Sequence, residues 1–72
     1  MNAQTQAALD EIAAAIEAGQ KTFVPAFFSR FFGRGATAAA FRIAKERGLI
    51  EVAYQSMAGT PVYRPAAPGQ EA

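Results

Sequence analysis

The side chains in this chain best suited to chemistry are its cations. Arg30, Arg34, Arg42 and Lys45 fall within sixteen residues, and between Ala18 and Lys45 there are five bases, counting Lys21, and no acid. A guanidinium group presents parallel N–H donors that match phosphate oxygens and the groove edge of guanine. A run of bases without acids therefore points to recognition of a polyanion rather than to bond-breaking, although ordinary solvated surface also carries scattered bases. Catalysis finds little material. The chain has no histidine and no cysteine, so the commonest general base and the thiolate nucleophile are both missing. Asp10 and Glu11 are neighbours in sequence, so on a helix they point about 100° apart and do not converge on one substrate atom. Gly33-Arg34-Gly35 lacks the Gly-Lys-Ser/Thr ending of a phosphate loop. No enzymatic activity, cofactor or metal is expected.

The cations need an element that turns them outward. Ala36 to Arg47, ATAAAFRIAKER, reads as a helix stopped by Gly48. At about 100° per residue, Arg42, Lys45 and Glu46 share one side with Ala38. Ala36, Thr37, Ala40 and Ala44 fall opposite, with Phe41 and Ile43 on the flanks. The outward strip is thus Ala38, Ala39, Arg42, Lys45 and Glu46. Placed in a major groove, Arg42 is the candidate base reader, and Ala38 and Ala39 leave room for close approach and for contact with thymine methyls. Thr37, near the helix start, is a candidate cap or phosphate ligand.

Around this helix the other elements follow in order. Residues 3–18 form a first helix with a stripe of Leu9, Ile12, Ala13 and Ile16. Thr22 to Val24 reads as a short strand, because the residue before Pro25 is pushed toward extended backbone. Pro25 suits the first turn of a second helix running to Phe32. On it, Phe27, Phe28, Phe31 and Phe32 make a wide aromatic face expected to be core, with a partner or dimer contact as the alternative for rings at its edge. Gly33-Arg34-Gly35 breaks the chain before the third helix. Leu49 to Tyr54 alternates as a strand, with Ile50, Val52 and Tyr54 on one face. Residues 55–59 turn the chain, and Thr60 to Arg64 returns it as an edge strand bounded by prolines. Gln55 and Ser56 near the tip and Arg64 on the return strand are candidate phosphate or minor-groove contacts. Residues 1–65 are read as one domain and 66–72 as a flexible tail.

A chain of 72 residues lies close to the lower limit for a core that folds unaided. Its hydrophobic content of 51%, with six phenylalanines and no tryptophan, raises the expectation of a homodimer that hides part of that surface. The net charge is only +1, but residues 1–17 hold three acids and no base, so the positive charge is concentrated in the segment after them. The apolar runs are far short of the roughly 20 residues that span a bilayer, and the start of the chain lacks the pattern of a signal peptide. The cytoplasm is the expected location, with neither a membrane nor a small-molecule ligand as partner.

The element order gives an α+β, mainly α, fold: three helices, a short strand and a C-terminal β-hairpin wing. The residues TAAAFRIAKERGLIEVAYQSMAGTPVYRP resemble the C-terminal two-thirds of many bacterial winged helix-turn-helix regulators, in which a recognition helix ends in a Gly-Leu-Ile corner and runs into the wing. The resemblance implies binding of double-stranded DNA, often as a homodimer on an inverted repeat, through Thr37, Ala38, Arg42 and the wing. A stand-alone domain of this size is typical of small plasmid, phage or accessory regulators. A transcriptional regulator, acting as a repressor by operator occupancy, is the leading expectation. A protein-interaction adaptor or inhibitor on the same scaffold is the rival.

Overall fold

The computed structural model describes residues 2–66. Among them the order is α1 (Ala3–Glu17), α2 (Pro25–Phe32), α3 (Arg34–Glu46), β1 (Ile50–Gln55) and β2 (Pro61–Pro65). This is a small α+β fold, mainly helical, with one two-stranded antiparallel sheet.

The first helix starts where Asn2, in extended backbone, accepts the Thr5 N–H on its side-chain oxygen at 2.7 Å. Its buried residues are Thr5, Ala8, Leu9, Ile12 and Ala15, and Ile16 is half-buried. The expected stripe through Ala13 is therefore rotated, and Ala13 is exposed. The cause lies in the partner helix. Ala40 and Ala44 of α3 belong to the same buried cluster as Ala8 and Ala15 of α1, and small residues on both sides let the two helices approach closely. Packing thus selects the alanine side of α1 over a neighbouring sector of similar hydropathy.

Between α1 and α2, Val24 is extended (φ −113°, ψ 118°), as a residue before proline should be. The strand expected over Thr22–Val24 contracts to a single bridge. Phe23 N–H donates to the Tyr63 carbonyl at 2.8 Å, and Tyr63 N–H returns a bond at 2.9 Å. Pro25 has no N–H to extend the ladder, and α2 starts at once. Phe23 is fully buried, so this one bridge fastens the hairpin to the helices.

Helix α2 has the expected bounds, but the break after it is one residue rather than three. Gly33 sits at φ +88°, ψ 157°, a backbone region open almost only to glycine, and its N–H caps α2 by donating to the Ser29 carbonyl. Arg34 and Gly35, expected in the turn, instead form the first turn of α3. At the other end, Gly48 takes φ +77° and Leu49 N–H reaches back to the Ala44 carbonyl at 2.9 Å, which makes the corner into β1.

The hairpin pairs Ile50 with Pro65, Glu51 with Arg64 and Val52 with Tyr63, then slips by one residue so that Tyr54 faces Val62. Ala53 is the extra residue of a β-bulge. Past the bulge the alternation changes face, so Tyr54 lies opposite Val62 rather than on the side of Val52; Ile50 is buried, and Val52 and Tyr54 are exposed. From β2, Tyr63 packs its ring 5.0 Å from that of Phe41, which in turn meets Phe28 edge-on at 5.1 Å and 89°. These aromatic contacts join the sheet, α3 and α2 into one core. Ala66, expected to open the tail, donates its N–H to the Leu49 carbonyl at 3.0 Å; the rest of the expected tail lies outside the described residues.

Candidate nucleic-acid interface

The third helix sorts its residues as the 3.6-residue period demands. Thr37, Ala40, Phe41 and Ala44 are buried. Ala38, Arg42, Lys45 and Glu46 are exposed, and Ala39 is half-buried between the two sides. Starting the helix at Arg34 adds that side chain to its exposed surface, so Arg34, Arg42 and Lys45 stand on a single rod rather than on a turn and a helix. Arg30 is exposed near the end of α2. Among the described residues none of these four cations is held in an ion pair, so their donors are free to meet a ligand. Gly35, Ala38, Ala39 and the Arg42 side chain line a shallow depression of about 300 Å³. Small side chains at the depression keep the helix backbone accessible, and Arg42 borders it.

Three of the expected contacts have other work. Thr37 is the fourth residue of α3, not its cap, and its side chain is only 1% exposed. Its hydroxyl is buried and has no hydrogen-bond partner among the described residues, so it does not reach a phosphate. The longer helix, begun at Arg34, is the reason: the cap position moves back to Gly33, which has no side chain. Arg64 lies directly across from Glu51, and its Nε donates to the Glu51 carboxylate at 2.6 Å. Facing residues of opposite charge on adjacent strands pair readily, and the pair, on the surface, occupies the Arg64 Nε. Counting outward from the Gln55–Pro61 pair sets residue 51 opposite Pro65, and the bulge at Ala53 is what brings Arg64 there instead. Ser56 accepts the Thr60 N–H on its hydroxyl at 3.2 Å, a bond that holds the turn closed. Gln55 remains exposed at the end of β1, and Met57 is fully exposed in the turn.

A second surface was expected to be core and is not. Of the four phenylalanines on α2, Phe28 is buried and Phe32 half-buried, while Phe27 is 62% and Phe31 78% exposed. Phe28 and Phe32 face α3. Phe27 and Phe31, one helical turn apart on the adjacent ridge, border an open apolar groove of about 790 Å³ beside the Gln20–Val24 segment. These two rings therefore lie outside the core.

Among the described residues, no three or more Asp or Glu side chains gather as a metal site, and no helix is long and apolar enough to cross a membrane. The chain matches no protein-family model, no curated protein and no solved structure. What geometry defines is a small, mainly helical α+β unit with one cationic helix face and, apart from it, one aromatic groove.

Proposed function

We propose that this chain is a small sequence-specific binder of double-stranded DNA with a winged helix-turn-helix architecture, a transcriptional regulator that acts by occupying its operator in the cytoplasm. The observation that carries the reading is the outer face of α3, where Arg34, Arg42 and Lys45 are exposed and, among the described residues, free of ion pairs beside a depression floored by Gly35, Ala38 and Ala39. A helix of this kind fits a major groove: cations at its sides meet phosphates, and a planar fork near its middle reaches a base edge. Arg42 is assigned the base contact, Arg30, Arg34 and Lys45 the phosphates. Gln55 at the start of the hairpin turn is the remaining wing contact. The element order α2, Gly33, α3, β1, β2 supports the winged architecture.

The test is selection of bound sequences from a random duplex pool, followed by titration of the selected duplex. Arg42→Ala is expected to weaken that duplex by about 1–3 kcal/mol and to relax preference at one position. Arg34→Ala should weaken all duplexes alike, and affinity should fall steeply with salt. Absence of duplex binding at low salt would end this reading. The protein-interaction alternative is favoured by one observation, the exposed Phe27–Phe31 ridge, which shares no residue with the α3 strip.

A further inference from the structure

We infer that the groove beside α2 is a self-association surface and that its occupant is the same ridge of a second copy of this chain. Phe27 and Phe31 are related by one helical turn, and with 62% and 78% of their surfaces in water they leave roughly 200–350 Å² of aromatic area uncovered. Isolated apolar residues are normal on a surface, but two adjacent rings at the mouth of an apolar groove form a patch. Val24, Phe28 and Phe32 continue that patch into the groove wall.

The shape argues against a small molecule. Binding pockets for small ligands enclose most of the ligand surface, whereas here the main rings stand out of the wall rather than around a cavity. A protruding ridge beside a groove is the form that a copy of itself complements. With the two-fold axis perpendicular to α2, the two copies of the helix run antiparallel, so Phe27 of one meets Phe31 of the other, twice.

Charge argues for a copy over a foreign partner. The charged residues lining the groove are one acid, Glu11, and one base, Lys21. Neither has an ion-pair partner among the described residues. A strongly acidic or basic partner meets no matching field there. A second copy supplies one, since each chain offers both charges and a two-fold pairing of Lys21 with Glu11 satisfies the two pairs at once, as a polar rim around an aromatic centre. Area sets the strength. The smallest specific interfaces bury roughly 600 Å² per partner, of which the two rings supply a large part, and the total surface is 4852 Å². The association is therefore a weak, concentration-dependent dimer.

The measurement leaves DNA out, so it stands apart from the DNA-binding reading. Sedimentation from about 1 µM to about 1 mM, a range that brackets weak association, should show wild-type monomer passing to dimer. Phe31→Ser should weaken the dimer at least about tenfold, as loss of a central aromatic contact does, with the helical circular dichroism unchanged. Lys21→Glu and Glu11→Lys should each weaken it alone. Mixed in equal amounts they should form a heterodimer, because both rim pairs then carry opposite charges. A wild-type monomer at every concentration overturns the inference, as does a dimer indifferent to Phe31→Ser or a mixture of the two reversals no tighter than either alone. A monomer that takes up anilinonaphthalene sulfonate only while Phe31 is present would also overturn it and assign the groove to a foreign apolar ligand.

Discussion

The second and third helices are joined by one glycine, both are amphipathic, and they treat their apolar faces differently. In α3 the strip of Thr37, Ala40, Phe41 and Ala44 is buried whole, and the opposite strip carries the cations. In α2 one of the four phenylalanines is buried, one is half-buried and two stand in solvent. The difference is one of neighbours. Helix α3 packs against α1 and α2 and runs on into β1, so its apolar side is covered along its length. Helix α2 has eight residues and packs mainly against α3, with a lesser contact to α1. Its aromatic face spans two ridges, and the structure covers one. A periodic pattern identifies residues that share a face; how much of that face is covered depends on elements far away in sequence.

Substitutions can sharpen or break this contrast. The largest effect should come from the covered ridge. Phe28→Ala removes the ring that meets Phe41 edge-on, at a cost of about 3–5 kcal/mol. That is comparable to the roughly 3–5 kcal/mol that a core of this size supplies, so the variant should be unfolded by circular dichroism at 25 °C. Phe31→Ala, on the uncovered ridge, should change the stability of the dilute chain by less than about 0.5 kcal/mol. Equal losses at 28 and 31 would mean that α2 is covered on both ridges.

The junction between the helices gives a second contrast, of opposite signs. Gly33→Ala places a Cβ at φ +88° and should cost about 1–3 kcal/mol although nothing crowds the position. Gly35→Ala, two residues on and inside α3, also enters open space and should stabilise by about 0.5–1 kcal/mol. Denaturant titration of both variants checks the boundary; a loss at both would restore a three-residue turn. The smaller effect lies within α3. Thr37→Val keeps the shape of the side chain and removes a buried hydroxyl without a partner, so stability should rise by about 1 kcal/mol. For a domain of this size that raises the melting temperature by roughly 4–8 °C. A lower melting temperature would show that the hydroxyl is satisfied by water.

Much of the architecture was legible because it is local. Pro25 and Gly33 bound α2, and Gly48 follows the end of α3, each through a backbone preference acting within a few residues. The outward strip of α3, with Arg42 and Lys45, needed only a helical period. Less of the candidate interface was legible. The reading of Thr37 failed because the helix began two residues earlier than the glycines suggested. The ion pair of Arg64 was missed because a free cation was assumed where strand pairing supplies an acid.

The amino-acid order, taken alone, determined the order of the helices and strands, the bounds of α2 and the stop of α3 before Gly48, since hydrogen bonding along the backbone and the preferences of glycine and proline act over one turn. Only the tertiary structure decided which sector of α1 is buried, that the bulge at Ala53 sets Tyr54 opposite Val62 rather than on the side of Val52, and that Phe27 and Phe31 remain in water. Those outcomes depend on contacts between segments distant in sequence, where one alanine stripe or aromatic ridge competes with another of nearly equal hydropathy and close packing selects between them.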